Sequence, residues 1–371
     1  MDAHCFDTEY QGAQTFLRGL YTALLEQDET DIYFGAHDAS SLQTAFPKLD
    51  PERILIYKKN KPSILRLLVD IPAILKNTHF DFAHFQYMSP APVKNCQFIV
   101  TMHDVLFNDF RSLFSWQYRF SRNFLFGRSI KQAALKTTVS AYSAERISRH
   151  YDIPENQLHI IPNGISCAFG NRLSVERAHE LVWEKYGIRN FILCVSRIEP
   201  RKNHLLLLDK FLELELYRQN ISLVFIGHPS LEVPCLQKKI DRLTPEQKPF
   251  FHLISQVSQE DLEAFYQSCR VFVYPSGAEG FGIPPLEAAV CKVPVLCSNT
   301  TAMNDFVFFN PFTFDPTNAP EFKYKLKAMI ESGLPGNQLD KIAATVAKKY
   351  SWKKSADTFY KLIQQNYQPW E

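Results

Sequence analysis

The stretch Tyr274-Pro275-Ser276-Gly277-Ala278-Glu279-Gly280-Phe281-Gly282-Ile283-Pro284-Pro285-Leu286-Glu287-Ala288 joins a strand end to a helix start through a glycine turn that carries a carboxylate on each side. The preceding Val271-Phe272-Val273-Tyr274 is β-branched and aromatic, so it suits a buried strand. Residues 276–282 supply the turn, whose glycines permit φ > 0 and close approach of the backbone to a ligand. Pro284 and Pro285 have φ preset for a first helical turn, which predicts a helix starting near Pro285 and running through Val290. Its free N–H groups and positive pole then face a loop at the carboxyl end of a strand, a ready anion site.

Glu279 lies in the loop, where its carboxylate is placed to accept hydrogen bonds from sugar hydroxyls. Glu287 lies in the first turns of the helix, within reach of a ribose diol. The plain alternative is that Glu287 complements the helix dipole and Glu279 is a solvated loop residue. Two glutamates at this spacing also arise by chance.

A second strand-to-helix turn, Ser196-Arg197-Ile198-Glu199-Pro200-Arg201-Lys202-Asn203, follows the apolar strand Phe191–Val195 and precedes a leucine-rich helix beginning near His204. Arg197 offers a guanidinium fork and Lys202 a compact point charge. The pair suits a diphosphate whose negative charge grows as a bond to it breaks. In isolation the segment reads as a solvated basic turn.

Similar runs recur at residues 54–57, 98–101, 137–140 and 223–226, alternating with helical patterns, which argues a parallel α/β sheet covered on both faces. With 371 residues the chain exceeds one ordinary core, and two domains are expected, 1–170 and 171–353, with a last helix at about 354–371. Hydrophobic content of 46% and charged content of 22% are those of a globular enzyme. A net charge of +2 supplies no global field for nucleic acid. The eight scattered cysteines form no C-x-x-C pair, so reduced thiols in a cytoplasmic protein are expected. No leader pattern and no apolar run approaching roughly 18 residues is present.

In Tyr10-Gln11-Gly12-Ala13-Gln14-Thr15, Gly12 is expected in a turn between a first strand and a helix over 16–26. The chain starts at Met1-Asp2-Ala3-His4, so that first strand is expected to be short or clipped. Phe98-Ile99-Val100-Thr101-Met102-His103-Asp104 delivers His103 at a strand's carboxyl end, where α/β folds place ligands. His84 ends another apolar segment and is a second candidate. A lone His-Asp pair is by itself more often structural.

Residues 279–288, Glu-Gly-Phe-Gly-Ile-Pro-Pro-Leu-Glu-Ala, closely resemble the Glu-x7-Glu signature of the family 4 retaining glycosyltransferases, which have the GT-B fold. Residues 196–203 are similar to that family's Gly-Arg-Leu-x-x-x-Lys-Asn, with Ser196 in place of glycine and near enough to narrow the phosphate space. Val139-Ser140-Ala141-Tyr142-Ser143, Pro162-Asn163-Gly164-Ile165, Ser351-Trp352, Gln11-Gly12 and His103-Asp104 extend the resemblance over nearly the whole chain. Departures are Cys291-Lys292, where relatives usually have a small residue and glycine, and Asp305, where glutamate is common.

The resemblance implies two Rossmann-like domains facing across a cleft, acceptor-binding first and donor-binding second, with the C-terminal helix crossing back to the first. It implies a nucleoside-diphosphate sugar donor, with GDP-mannose the first guess, and a saccharide or lipid-linked saccharide acceptor in lipopolysaccharide synthesis. The donor would be held by Gly12, Arg197, Lys202, Glu279, Gly280, Phe281, Gly282, Ile283 and Glu287; Glu279, His103, Arg197 and Lys202 would act in transfer. No cofactor and no metal are expected, since there is no Asp-x-Asp motif. A sugar-nucleotide epimerase of similar fold and a non-catalytic sugar-nucleotide or membrane-surface binding protein are the rival readings.

Between 111 and 149, Arg111, Arg119, Arg122, Arg128, Lys131, Lys136, Arg146 and Arg149 face Glu145 alone, with aromatics interleaved. Such a surface suits an anionic membrane face, which would make the protein peripheral; the alternative is buried aromatics beneath solvated charges.

Overall fold

A computed structural model describes residues 1–7, 12–27, 29–58, 64–111, 114–165, 169 and 173–367. The chain divides into two compact units, Met1–Gly164 with Tyr350–Glu371, and Ile165–Lys349. Residue 170, where the sequence places the boundary, lies outside the described residues, as do Tyr10 and Gln11.

The first unit pairs β1 (Phe34–Ala36) with β2 (Ile54–Ile56), and β3 (Phe82–Gln86), β4 (Gln97–Thr101), β5 (Leu135–Thr138) and β6 (Leu158–Ile160) in that order, all parallel. Met1 to Ala3 runs between the two sets: the Asp2 N–H donates to the His84 carbonyl (2.9 Å) and the Ala3 N–H to the Gly35 carbonyl (2.8 Å). The first strand is thus reduced to a single bridge, Asp2 to Gly35. Asp2 is buried with Arg66, and their ion pair (3.1 Å) satisfies both charges.

The helix Trp352–Asn366 belongs to this unit and packs on the helix Gly12–Leu25. Two glycines make the docking possible. A Cβ on Gly164 would stand 2.3 Å from the Trp352 backbone nitrogen, and one on Gly19 would enter the Trp352 indole. Ser351 caps the helix by accepting from the Lys354 N–H, and the Ser355 hydroxyl donates to the Pro162 carbonyl (2.7 Å). The Pro-Asn-Gly-Ile and Ser-Trp motifs are therefore two halves of one contact.

The second unit is a six-stranded parallel sheet in the order β12-β11-β10-β7-β8-β9. Its strands are β7 (Phe191–Val195), β8 (Ser222–Ile226), β9 (Phe251–Ile254), β10 (Val271–Tyr274), β11 (Val295–Ser298) and β12 (Thr313–Phe314). The central β7, β8 and β10 are almost wholly buried and apolar, as a sheet with both faces covered requires. Edge strand β9 leaves Leu253 exposed. The helix Val175–Tyr186 starts at Ser174, whose hydroxyl accepts from the Arg177 N–H, and stops at Gly187 with φ 69°.

Candidate functional site

In the second unit the chain leaves β7 toward β8 and β9 on one side and returns at β10 to build outward through β11 and β12 on the other. The crevice beyond the carboxyl ends of β7 and β10 is the switch point of a doubly wound sheet, where ligands bind. Residues 196–203 leave β7 and residues 275–282 leave β10, so the two stretches singled out in the sequence meet there.

Glu279 is the centre of that meeting and is only 7% exposed. Its Oε1 accepts from Lys202 Nζ (2.5 Å), Ser276 Oγ (2.5 Å) and the Tyr274 hydroxyl (3.0 Å), and its Oε2 accepts from Arg201 Nη1 (3.1 Å). The Lys202 ammonium also donates to the Tyr274 hydroxyl (2.9 Å). Arg201 continues to Glu199 (2.6 Å) and to the Ala278 carbonyl (2.7 Å). Burial by itself would raise the Glu279 carboxyl; the Lys202 ammonium and Arg201 guanidinium overcome it and hold the group at about 2.

The turn is laced from both sides. The Gly277 N–H donates to the Arg201 carbonyl (2.8 Å), the Glu279 N–H to Thr301 Oγ1 (2.9 Å), and Ser298 Oγ to the Ser276 carbonyl (2.5 Å). Gly282 caps the helix Ile283–Val290 at φ 95°, and a Cβ there would press Met303 at 3.2 Å. The helix begins at Ile283, two residues before the expected Pro285. Glu287 is half-buried in it and accepts from the Tyr266 hydroxyl (2.8 Å); burial pushes its carboxyl up to about 7 against that hydrogen bond.

Residues 177–349 match the family model described as glycosyl transferases group 1, and residues 10–169 match that of glycosyltransferase family 4. The chain belongs to this glycosyltransferase family. It is 31% identical over 237 residues to the O-antigen chain mannosyltransferase B of Escherichia coli, a match covering 61% of this chain and 59% of that one. The match thus spans less than two thirds of that curated relative. Among solved structures, a glycosyltransferase from Rickettsia africae superposes with a TM-score of 0.73 at 19% identity, covering 99% of this chain and 97% of that one. Anabaena HepE, solved with UDP, gives 0.72 at 16% identity, with 96% of each chain covered.

In the second unit, Lys202 and Glu279 come together, and Gly280, Phe281, Gly282 and Ile283 follow directly on the same turn. Arg197 does not join them: it is exposed and has no hydrogen bond or ion pair among the described residues. The Glu279 carboxylate, expected to face sugar hydroxyls, accepts from four protein side chains, because a buried charge is stable only when paired. The Ser196 hydroxyl bonds His204 Nε2 (3.1 Å) inside the unit.

In the first unit, Gly12 is the exposed first residue of its helix with open space at Cβ, so nothing in the structure demands glycine there. His103 follows β4 and is half-buried, with Nε2 against Gln86 Oε1 (2.7 Å) and its ring edge-on to Phe16. Burial pushes its pKa down to about 4, so it is neutral near pH 7. His84 sits in the middle of β3 rather than at its end. Tyr21 and Thr101 engage its two nitrogens (2.8 and 2.7 Å), which makes it a core residue.

A cavity of about 730 Å³ also lies in this unit. Much of its wall comes from residues just before β1 and β3, the amino ends of the strands, opposite to where an α/β sheet presents ligands. Among the described residues no group of three or more His, Cys, Asp or Glu side chains is placed to hold a metal ion.

The sequence reading missed Arg201, Glu199, Tyr274 and Ser276. Arg201 had a signal, a second cation beside Lys202 in a turn with a carboxylate two residues upstream.

Proposed function

We propose that the protein transfers a hexose from a nucleoside-diphosphate sugar to a hydroxyl of a saccharide or lipid-linked saccharide with retention of anomeric configuration, in the cytoplasm, during cell-surface polysaccharide synthesis. The observation that carries this reading is the Glu279–Lys202–Arg201 network at the switch point of the second unit, beside a helix N-terminus. GDP-mannose is the proposed donor, supported by the mannosyltransferase among the relatives.

In this reading the bond between the sugar's anomeric carbon and the diphosphate oxygen breaks as the acceptor oxygen bonds on the same face. The acceptor proton passes to the leaving diphosphate, and the products are the nucleoside diphosphate and the new glycoside. Glu279, Lys202, Arg201 and Glu199 sum to zero charge, so the network has none to spare for a diphosphate. Arg197 is the free cation assigned to it, and Lys202, with two of its three N–H groups used, has one left for a phosphate oxygen. The Gly282 and Ile283 N–H groups and the positive pole of Ile283–Val290, whose second and third residues are prolines without an N–H, add to the stabilisation of the leaving group. Glu279 orders the turn whose amides line the donor, Glu287 is assigned the ribose, and His103 a sugar hydroxyl. Orientation and electrostatics supply the rate, with no metal in the scheme.

The test is thermal-shift screening of the purified protein against GDP, UDP, TDP and ADP and their sugars, followed by nucleotide release with saccharide acceptors. A selective shift with GDP and GDP-mannose, mannose transfer, and loss of transfer in Arg197→Ala and Glu279→Ala are expected. Sugar interconversion without nucleotide release would instead make the protein an epimerase, and binding without turnover a binding protein.

A further inference from the structure

The helix Trp116–Gln132 has an inner face that anchors it and an outer face with no use inside its own unit. Phe126, Ser129 and Ile130 are buried, and Tyr118 stacks on Phe114 (5.7 Å) beneath the Arg122 guanidinium (5.2 Å). On the opposite side Trp116, Phe120 and Phe124 follow one another at four-residue steps and are 66%, 73% and 67% exposed. None of the three has a ring partner among the described residues. Large aromatics exposed on successive turns form a contiguous apolar ridge rather than the scattered apolar residues common on surfaces.

Arg128 and Lys131 are exposed and extend the same side toward the helix C-terminus, and Arg111 is exposed just before its start. The helix itself contains no Asp or Glu. Farther along the basic region expected from the sequence the charges cancel: Arg146 is paired with Asp109 and Arg149 with Glu145. Lys136 turns its ammonium onto the Ala133 carbonyl. The structure therefore corrects the broad basic region of 111–149 to one helix with a local excess of positive charge.

We propose that this helix lies on an anionic lipid bilayer, with Trp116, Phe120 and Phe124 among the acyl chains and Arg128, Lys131 and Arg111 at the headgroups. An apolar ridge bordered by cations and free of anions complements a surface that is negative in one plane and apolar just beneath it. Aromatic side chains, Trp above all, favour that interface because the ring is apolar and its polar edge stays wet. No helix among the described residues is long and apolar enough to cross a membrane, so the contact is one of lying on the surface. The inference rests on this helix alone and is independent of the transfer reaction.

The experiment is flotation of the full chain with vesicles of phosphatidylcholine alone and of phosphatidylcholine with phosphatidylglycerol. Binding only to the anionic vesicles is expected, falling as salt is raised. Arg128→Gln/Lys131→Gln should lower the partition coefficient roughly 30-fold, from about 1 kcal/mol per cation. Trp116→Ser/Phe120→Ser/Phe124→Ser should abolish binding while leaving the melting temperature and circular dichroism unchanged, because all three side chains point outward. Anionic-vesicle binding by this triple variant equal to wild type would overturn the proposal, as would no vesicle binding by wild type. A wild-type dimer in sedimentation velocity that the triple variant loses, without vesicle binding, would reassign the ridge to self-association.

Discussion

Lys202→Met separates what the buried network does for stability from what it does for chemistry. The surroundings move the Glu279 carboxyl from 4.5 to about 2, a stabilisation of its ionised form of about 3 kcal/mol. Lys202 is the largest favourable contributor, with Arg201 second. Methionine keeps most of the lysine's length, so the substitution removes charge and hydrogen bonds more than volume. It leaves Glu279 with Arg201, Ser276 and Tyr274 and also removes the lysine's own burial cost, so the expected loss is about 2 kcal/mol, below the 3–5 of a fully orphaned charge.

The assay is urea unfolding at neutral pH followed by circular dichroism, repeated on Glu279→Gln and on the double variant Lys202→Met/Glu279→Gln. Each single variant leaves a buried charge, whereas the double leaves two neutral side chains of nearly native shape. It should therefore be more stable than the sum of the singles by about 2 kcal/mol. Because the folded pKa of Glu279 lies below its unfolded value, the wild-type advantage is complete above pH 4.5 and fades as pH falls toward 2. The wild-type and Lys202→Met curves should converge over that window. Additive losses in the cycle, or a gap constant down to pH 2, would refute the account of a paired buried charge. Transfer should be lost in all three variants, including the stable double, if the network also orders the donor turn.

Glu287 titrates in the opposite sense: its folded pKa of about 7 exceeds the ordinary 4.5, so its penalty is absent below pH 4.5 and grows as pH rises to 7. Glu287→Gln should therefore gain stability over wild type in melting curves at pH 8 and not at pH 4, while losing affinity for the nucleotide. Gly282→Ala combines a φ of 95° with a contact on Met303 and should cost about 1–3 kcal/mol in chemical denaturation. Gly164→Ala drives a methyl into the Trp352 backbone, so hydrogen exchange in the helix Trp352–Asn366 should accelerate strongly while the strands of the second unit keep their protection.

The repeating strand-and-helix pattern carried the architecture because a buried parallel strand must be a continuous apolar run, and β7 and β10 are such runs to the residue. Strands β1 and β12 are buried but only three and two residues long, and β9 is partly exposed, so none of them leaves a long apolar run to read. Strand β5 starts at Leu135, two residues before the run read from sequence, and Ser140, read as strand, caps the following helix. At residue 292, where the family usually has glycine, Lys292 holds φ 58°, so the departure in sequence sits on a backbone position that favours glycine.

The site was legible as a set of residues and not as a set of contacts, and the reason is electrostatic. A motif names Glu279, Lys202 and Arg197 alike as polar groups near a ligand, but burial decides which of them must first satisfy one another. Glu279 and Lys202, both less than a tenth exposed, are obliged to pair, and the pairing recruits Arg201, Tyr274 and Ser276, which a ligand-centred reading had no cause to name. Arg197 lies outside the buried zone, so nothing obliges it to find a partner there. Thus Arg197, with no hydrogen bond or ion pair among the described residues, is the cation proposed for the diphosphate, and Glu279, whose carboxylate accepts from four side chains, is the group that shapes the turn.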